Sequence, residues 1–298
     1  MNQESLFAED WVMPPLSAIV PWFGGKRTMA PLIASEIGKC SAYFELFAGS
    51  AAVLFAKQKS QQETLVDLHA DLTNLGRVLQ DESTAIDLYG RASRAIFDEG
   101  LYFEAAANLG SPVEEHAPVD RAFWYLVSSW QGRNGTAGLK RAKWQPSVRF
   151  TPGGGSSAKR WTSVAESIPA WHLRLREALI LQRDAFEVLE KIADDERTVI
   201  YADPPYLMGT RGAAQYLHEF DDHDHKRLAD GLNRFEKARV IVSYYDSDQL
   251  DELYPTSKWT KRDCARQKNL HVQNRRGAGE CKAPEVLLIN GPSLEVAA

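Results

Sequence analysis

Apolar runs that read as buried strands alternate with helical patterns along most of this chain, and no other feature limits its architecture as much. The runs fall at residues 42–47, 64–66, 178–182, 198–202, 239–243 and 284–289. Helical patterns follow most of them, at 51–59, 72–80, 186–192, 223–235 and 247–253. Such alternation predicts an α/β fold with a mainly parallel sheet and helices on both faces. Ligands of such sheets sit at the carboxyl ends of the strands. The alternation lapses at 81–167, which reads as a helix at 84–107, a helix at 119–130 and then a basic, Gly-rich loop region. A structureless connection of that length is far outside the normal range, so an inserted, mostly helical module is expected there. The main domain then comprises 14–80 and 168–298.

The 298 residues suit one large domain carrying a smaller insertion. No window reaches the ~18 apolar residues of a membrane span. The nearest, 43–56, is short and contains Glu45. The first ten residues have neither a basic nor an apolar leader region, so a cytoplasmic protein is expected. Cys40, Cys264 and Cys281 lack metal-ligand spacing and read as reduced thiols. His223 and His225 adjoin an acidic stretch, but Asp221 and Asp222 stand at cap positions, so a solvated helix start is expected and no metal.

The strongest local signal is Asp203-Pro204-Pro205-Tyr206 directly after the apolar run 198–202. Proline fixes φ and lacks an N–H donor, so the chain must leave the sheet as a stiff loop, with Asp203 at the strand tip. A carboxylate, a backbone carbonyl and an aromatic ring together suit an exocyclic amine on a flat base. Asp and Pro also make ordinary turns, and a plain strand-end turn is the competing reading.

Two further motifs precede it. In Phe44-Glu-Leu-Phe47-Ala-Gly49-Ser50-Ala51 a strand passes through a small-residue turn into a helix start. Gly49 lets backbone approach a ligand, and helix N–H groups suit an anionic group such as a methionine carboxylate. Asp67 ends the next strand, at the spacing by which an acid reaches ribose hydroxyls. A tight βα turn explains the same residues equally well, and the glycines of a dinucleotide fingerprint are missing. Pro21-Trp22-Phe23-Gly24-Gly25-Lys26 could bring a cation and a ring onto a ligand, although alone it reads better as a surface turn.

The formal net charge of −5 hides a local asymmetry. Between Gln131 and Arg160 there are seven basic residues, among them Arg133, Lys140, Arg141 and Lys143, and no acid. From Lys258 to Lys282 eight basic residues face only Asp263 and Glu280. Screening confines electrostatics to ~8–10 Å, so a basic stripe can serve a polyanion on an acidic protein. Solvated loops are an even alternative.

In this order the three motifs resemble the Dam-type family of DNA adenine-N6 methyltransferases, over residues 21–290. The resemblance implies a Rossmann-like methyltransferase domain, S-adenosylmethionine as cofactor and double-stranded DNA as partner, with the target base flipped out. It implies Trp22, Lys26, Phe47, Gly49, Ser50, Asp67 and Asp184 at the cofactor, with Asp203 close by. Asp203, Pro204, Pro205 and Tyr206 would hold the target base. Residues 123–141, with Arg133 and Asn134, look like the family's DNA-contacting segment, and Lys140, Arg141 and Lys143 are further DNA-binding candidates. No obligate protein partner is implied and a monomer or weak dimer is expected; restriction-modification is the expected setting. Two positions depart from the family: Ala51 stands where many relatives have a second glycine, and Pro21 where a basic residue often precedes the tryptophan. Cytosine-N4 enzymes more often carry Ser in place of Asp203, which favours adenine. A nicotinamide-dependent oxidoreductase leaves Asp-Pro-Pro-Tyr unexplained.

Overall fold

The computed structural model describes residues 16–22, 24–132, 144, 155–207, 220–264 and 284–294. The fold is mixed α/β, and it divides into two compact units. The first comprises 1–25, 49–55 and 69–182, the second 26–48, 56–68 and 183–298.

Among the described residues, six of the seven strands belong to the second unit. They are β1 (Ala42–Leu46), β2 (Gln62–Asp67), β4 (Thr198–Ala202), β5 (Arg239–Tyr245), β6 (Trp259–Asp263) and β7 (Glu285–Asn290), in the order β2-β1-β4-β5-β7-β6. The first four run parallel, whereas β7 is antiparallel to both β5 and β6. Central β4 is buried at every position, as its unbroken apolar run requires of a strand covered on both faces. Helices α1 (Ala30–Ile37), α8 (Ala185–Leu189), α9 (Asp222–Asn233) and α10 (Gln249–Leu253) complete this unit. Asp221 caps α9 in a reciprocal capping box with Asp224, as the acidic helix start suggested. Fully buried Glu36 of α1 accepts hydrogen bonds from Arg239, Arg262, Ser293 and the Leu294 N–H. Burial alone would raise its pKa, but these donors outweigh it and hold the carboxylate below its ordinary range.

Strand β6 has no apolar run to announce it. Its charged residues Lys261, Arg262 and Asp263 suit a sheet edge, where charge discourages pairing with another chain.

The first unit is mainly helical: α3 (Ala70–Gln80), α4 (Glu82–Arg94), α5 (Glu99–Asn108), α6 (Pro118–Gln131) and α7 (Ser157–Leu175), with strand β3 (Leu179–Gln182). Helix α2 (Ala52–Ala56) begins here and ends at the first residue of the second unit's next segment. The helix expected at 84–107 is two helices. Asp98 accepts the Leu101 N–H at 2.8 Å and so nucleates α5 afresh, while the Trp161 indole takes up the Ala92 and Ala95 carbonyls at the end of α4. Helix α7 occupies the end of the stretch read as loop. It buries Trp161, Val164, Ile168, Trp171 and Leu175, and it continues through Pro169. Arg121 of α6 fastens this unit internally, pairing with Asp71 and donating to the carbonyls of Asn108, Leu109 and Ser111. Among the described residues no helix is long and apolar enough to cross a membrane.

Candidate active site

Strand register sets the second unit's half of the candidate residues. Leu46 of β1 pairs with Val66 of β2 on one side and with Ala202 of β4 on the other. The next residue on each strand is Phe47, Asp67 and Asp203. The three sequence-predicted residues therefore leave one row together at the carboxyl ends of neighbouring parallel strands. The Ala48 N–H donates to Val66 O at 2.9 Å and the Asp203 N–H to Leu46 O at 3.3 Å, which fixes the exits from β1 and β4.

Asp203 meets Lys26, whose Nζ lies 2.7 Å from its Oδ1. The ammonium is 5% exposed and the carboxylate 18%. Lys26 also reaches Glu285 Oε1 at 3.3 Å and lies 4.9 Å from the centre of the Tyr206 ring. The Tyr206 hydroxyl donates to Glu285 Oε1 at 2.7 Å. Its ring meets the Tyr245 ring edge-on at 4.6 Å between centres. One ammonium is thus shared by two carboxylates, and the Tyr206 hydroxyl lies within hydrogen-bonding reach of both.

Burial pushes the Asp203 pKa up to about 6; Lys26 restrains the rise and the Glu285 charge adds to it. Burial, followed by the Asp203 and Glu285 charges, pushes the Tyr206 phenol well above its ordinary value, so it stays a neutral donor. A carboxyl that titrates near neutrality at a strand tip is equipped to accept hydrogen bonds from an amine and to bind a proton.

Asp184 caps α8, its Oδ1 accepting the Phe186 N–H at 2.7 Å. Near it, Phe186 stacks on Phe220 at 5.7 Å, and Phe47 meets Phe220 edge-on at 5.3 Å. Phe47 has φ 62°, costly for a bulky side chain and typical of a turn shaped for close approach.

In the first unit, Trp22 lies flat against Gly49. A Cβ on Gly49 would stand 3.0 Å from the indole Nε1, and its φ of 49° is itself a conformation side chains avoid. Ser50 is buried, and its carbonyl accepts the Ile19 N–H at 3.1 Å. The Trp22 ring edge meets His69, which in turn contacts Tyr125. Ala51, where the family resemblance leads one to expect glycine, takes φ 56°. The chain therefore keeps the left-handed turn that glycine would favour, with a methyl group inside it.

Arg133, Asn134, Lys140, Arg141 and Lys143 lie outside the described residues. Next to that stretch, Trp144 bridges to Gly132 and packs its ring on Phe97 and Tyr102.

Glu285 was not singled out from the sequence. Its signal is an acid at the head of a buried apolar strand, where the side chain must point to a cation or donor. Tyr245 and His69 were missed as well, since lone aromatic and histidine residues carry no spacing signal.

A family model described as D12 class N6 adenine-specific DNA methyltransferase matches residues 22–267. No curated protein matches the chain in sequence. Among solved structures, the chain is similar to a precorrin 8w decarboxylase from Methanobacterium thermoautotrophicum, with 12% identity, a TM-score of 0.36 and coverage of 95% of this chain and 97% of that one. That likeness is too slight to bear on fold or activity.

Proposed function

The chain belongs to the D12 class of N6 adenine-specific DNA methyltransferases, and we propose that it flips its target adenine out of double-stranded DNA and takes the methyl group from S-adenosylmethionine. The observation that carries this reading is Asp203, set by β4 at the strand tip with Lys26 at 2.7 Å.

The residues present fit such a cofactor. Phe47, Gly49 and Ala51 hold positive φ, and Gly49 brings backbone without a side chain to the turn, while Asp67 ends the adjacent strand with a carboxylate suited to ribose hydroxyls. In the second unit we assign Phe47, Asp67, Asp184 and Lys26 to its binding, with Asp203 adjoining. In the first unit we assign Trp22, Gly49 and Ser50. When bound, S-adenosylmethionine supplies a methyl group on a sulfonium, an electrophile that needs only an aligned nucleophile.

Adenine N6 is a poor nucleophile because its lone pair is delocalised into the ring. Hydrogen bonds from its amino protons to the Asp203 carboxylate and the Pro204 carbonyl draw it towards tetrahedral geometry. Pro205 stiffens the loop that presents them. The proton released from N6 after transfer has an acceptor in Asp203, whose raised pKa suits a transient proton load. Lys26 holds the carboxylate in place meanwhile. Flipping costs a few kcal/mol, and stacking on an aromatic residue returns ~1–3 kcal/mol. We assign residues 81–167 to target recognition, with Lys140, Arg141 and Lys143 on the DNA phosphates and Arg133 and Asn134 reading bases.

The test is incubation with S-adenosylmethionine labelled in its methyl group and DNA from a methylation-free host, then nucleoside analysis. Label in N6-methyladenine is expected. Its absence, with folded protein and DNA containing every short sequence context, overturns the reading.

A further inference from the structure

Glu285 stands outside the motifs that announced the site, yet it touches two of their residues. Its backbone is locked: it pairs with Tyr245 across β5 and β7, and its carbonyl accepts the Cys264 N–H at 3.0 Å. Its Oε1 accepts the Tyr206 hydroxyl at 2.7 Å and lies 3.3 Å from Lys26 Nζ. We propose that Glu285 is a positioning residue for methyl transfer, holding the Lys26 ammonium and the Tyr206 hydroxyl in place and sharing Lys26 with Asp203. This rests on the reaction proposed above.

The physical reason lies in the count of charges. Lys26 is nearly fully buried and has two carboxylates within reach. While Asp203 accepts hydrogen bonds from an adenine amine, Lys26 holds the carboxylate only as well as it is itself held by a second acceptor. Glu285 is that acceptor, and its rigid strand keeps the ammonium from following Asp203. The groups around Asp203 are Lys26 before α1, Glu285 on β7, Tyr206 after β4, Tyr201 on β4, and Tyr244 and Tyr245 on β5. Lys26 is the cation of this set and Glu285 the second carboxylate, while burial raises all four tyrosines and keeps them neutral. Glu285 charge therefore opposes Asp203 ionisation directly and competes for the cation that favours it.

The experiment compares wild type, Glu285→Gln and Glu285→Ala by three readouts: the Asp203 carboxyl titration followed by 13C NMR, the pH profile of kcat, and thermal melting. In Glu285→Gln the Asp203 midpoint and the acid limb of kcat should move down together, by roughly one pH unit. Glu285→Ala should also lower kcat by about tenfold or more, with little change in KM for DNA, because Lys26 and Tyr206 lose their anchor. A lower melting temperature with an unmoved midpoint and limb would make Glu285 merely structural and overturn the proposal. Absence of methyl transfer by wild type overturns the reaction and this role with it. Transfer with an unmoved Asp203 midpoint overturns the role of Glu285 alone.

Discussion

Lys26 Nζ lies 2.7 Å from Asp203 Oδ1, although the two residues belong to motifs far apart in the chain. The ammonium is nearly buried and Asp203 keeps only part of its surface. In such surroundings an unpaired charge is far more costly than a paired one, so each group fixes the other. The pairing brings the Gly-Gly-Lys turn and the Asp-Pro-Pro-Tyr loop together.

Asp203→Ala is expected to abolish most methyl transfer while the fold persists, because the side chain lies beyond the end of β4 and not in its packed body. Losing a transition-state contact of ~2.7–4 kcal/mol lowers the rate by about 10²–10³. Single-turnover incorporation of labelled methyl groups measures it. A variant that keeps a tenth of the wild-type rate removes Asp203 from the catalytic role.

Activity should rise with pH through about 6 and then level, since Asp203 must be ionised to accept the amine protons. The sign for stability is opposite. The folded-state pKa lies above the ordinary value, so folding takes up a proton in the intervening window. This group's contribution to stability therefore falls as pH rises from about 4 through about 6. Lys26→Met should move the activity limb to higher pH by removing the charge that favours ionisation. Rates measured from about pH 5 to about pH 9 show the limb, and a flat wild-type profile refutes the assignment.

Asp67→Ala should weaken S-adenosylmethionine binding and leave DNA affinity nearly unchanged. A lost charge-assisted hydrogen bond of ~1.5–3 kcal/mol raises the dissociation constant by roughly tenfold or more. Calorimetry with an unaltered cofactor affinity would return Asp67 to a structural part at the end of β2.

Gly49→Ala should destabilise the first unit and displace Trp22. The left-handed backbone costs about 1–2 kcal/mol for a residue with a side chain, and the new methyl group would stand 3.0 Å from the indole nitrogen. Melting temperature and tryptophan fluorescence should both fall or shift. Unaltered fluorescence would refute the packing of the indole on Gly49, and an unaltered melting temperature would refute the backbone strain.

Replacing Lys140, Arg141 and Lys143 together with Ala should weaken DNA binding across sequences. It should also flatten the log–log salt dependence by ~0.9 for each phosphate contact removed. Arg133 or Asn134 substitution should instead relax discrimination between sites, by about 1–3 kcal/mol per lost base contact. Titrations at several salt concentrations on cognate and scrambled duplexes separate these outcomes. An unchanged slope in the triple variant assigns DNA binding to the second basic stretch, from Lys258 to Lys282.

The sequence by itself determined the strands that carry the candidate residues, because a strand buried on both faces must be apolar throughout and its end must be polar. The run 198–202 is β4 residue for residue, and Phe47, Asp67 and Asp203 stand just past or at the ends of such runs. Local chemistry also announced the α9 cap at Asp221 and a small-residue turn at Gly49, whose left-handed backbone the structure adds. What escaped was set by partners distant in the chain. The break between α4 and α5 depends on Trp161, and β6 is a strand through its pairing with β7 and not through its own composition. Glu285 is the clearest case. Only the antiparallel direction of β7 puts its first residue level with Tyr245, at the carboxyl end of the parallel strands where Asp203 emerges. Periodicity reports which face of an element is buried, but strand direction and neighbour order are settled by packing the whole sheet. The tertiary structure alone therefore decided that Lys26 has two carboxylates to hold.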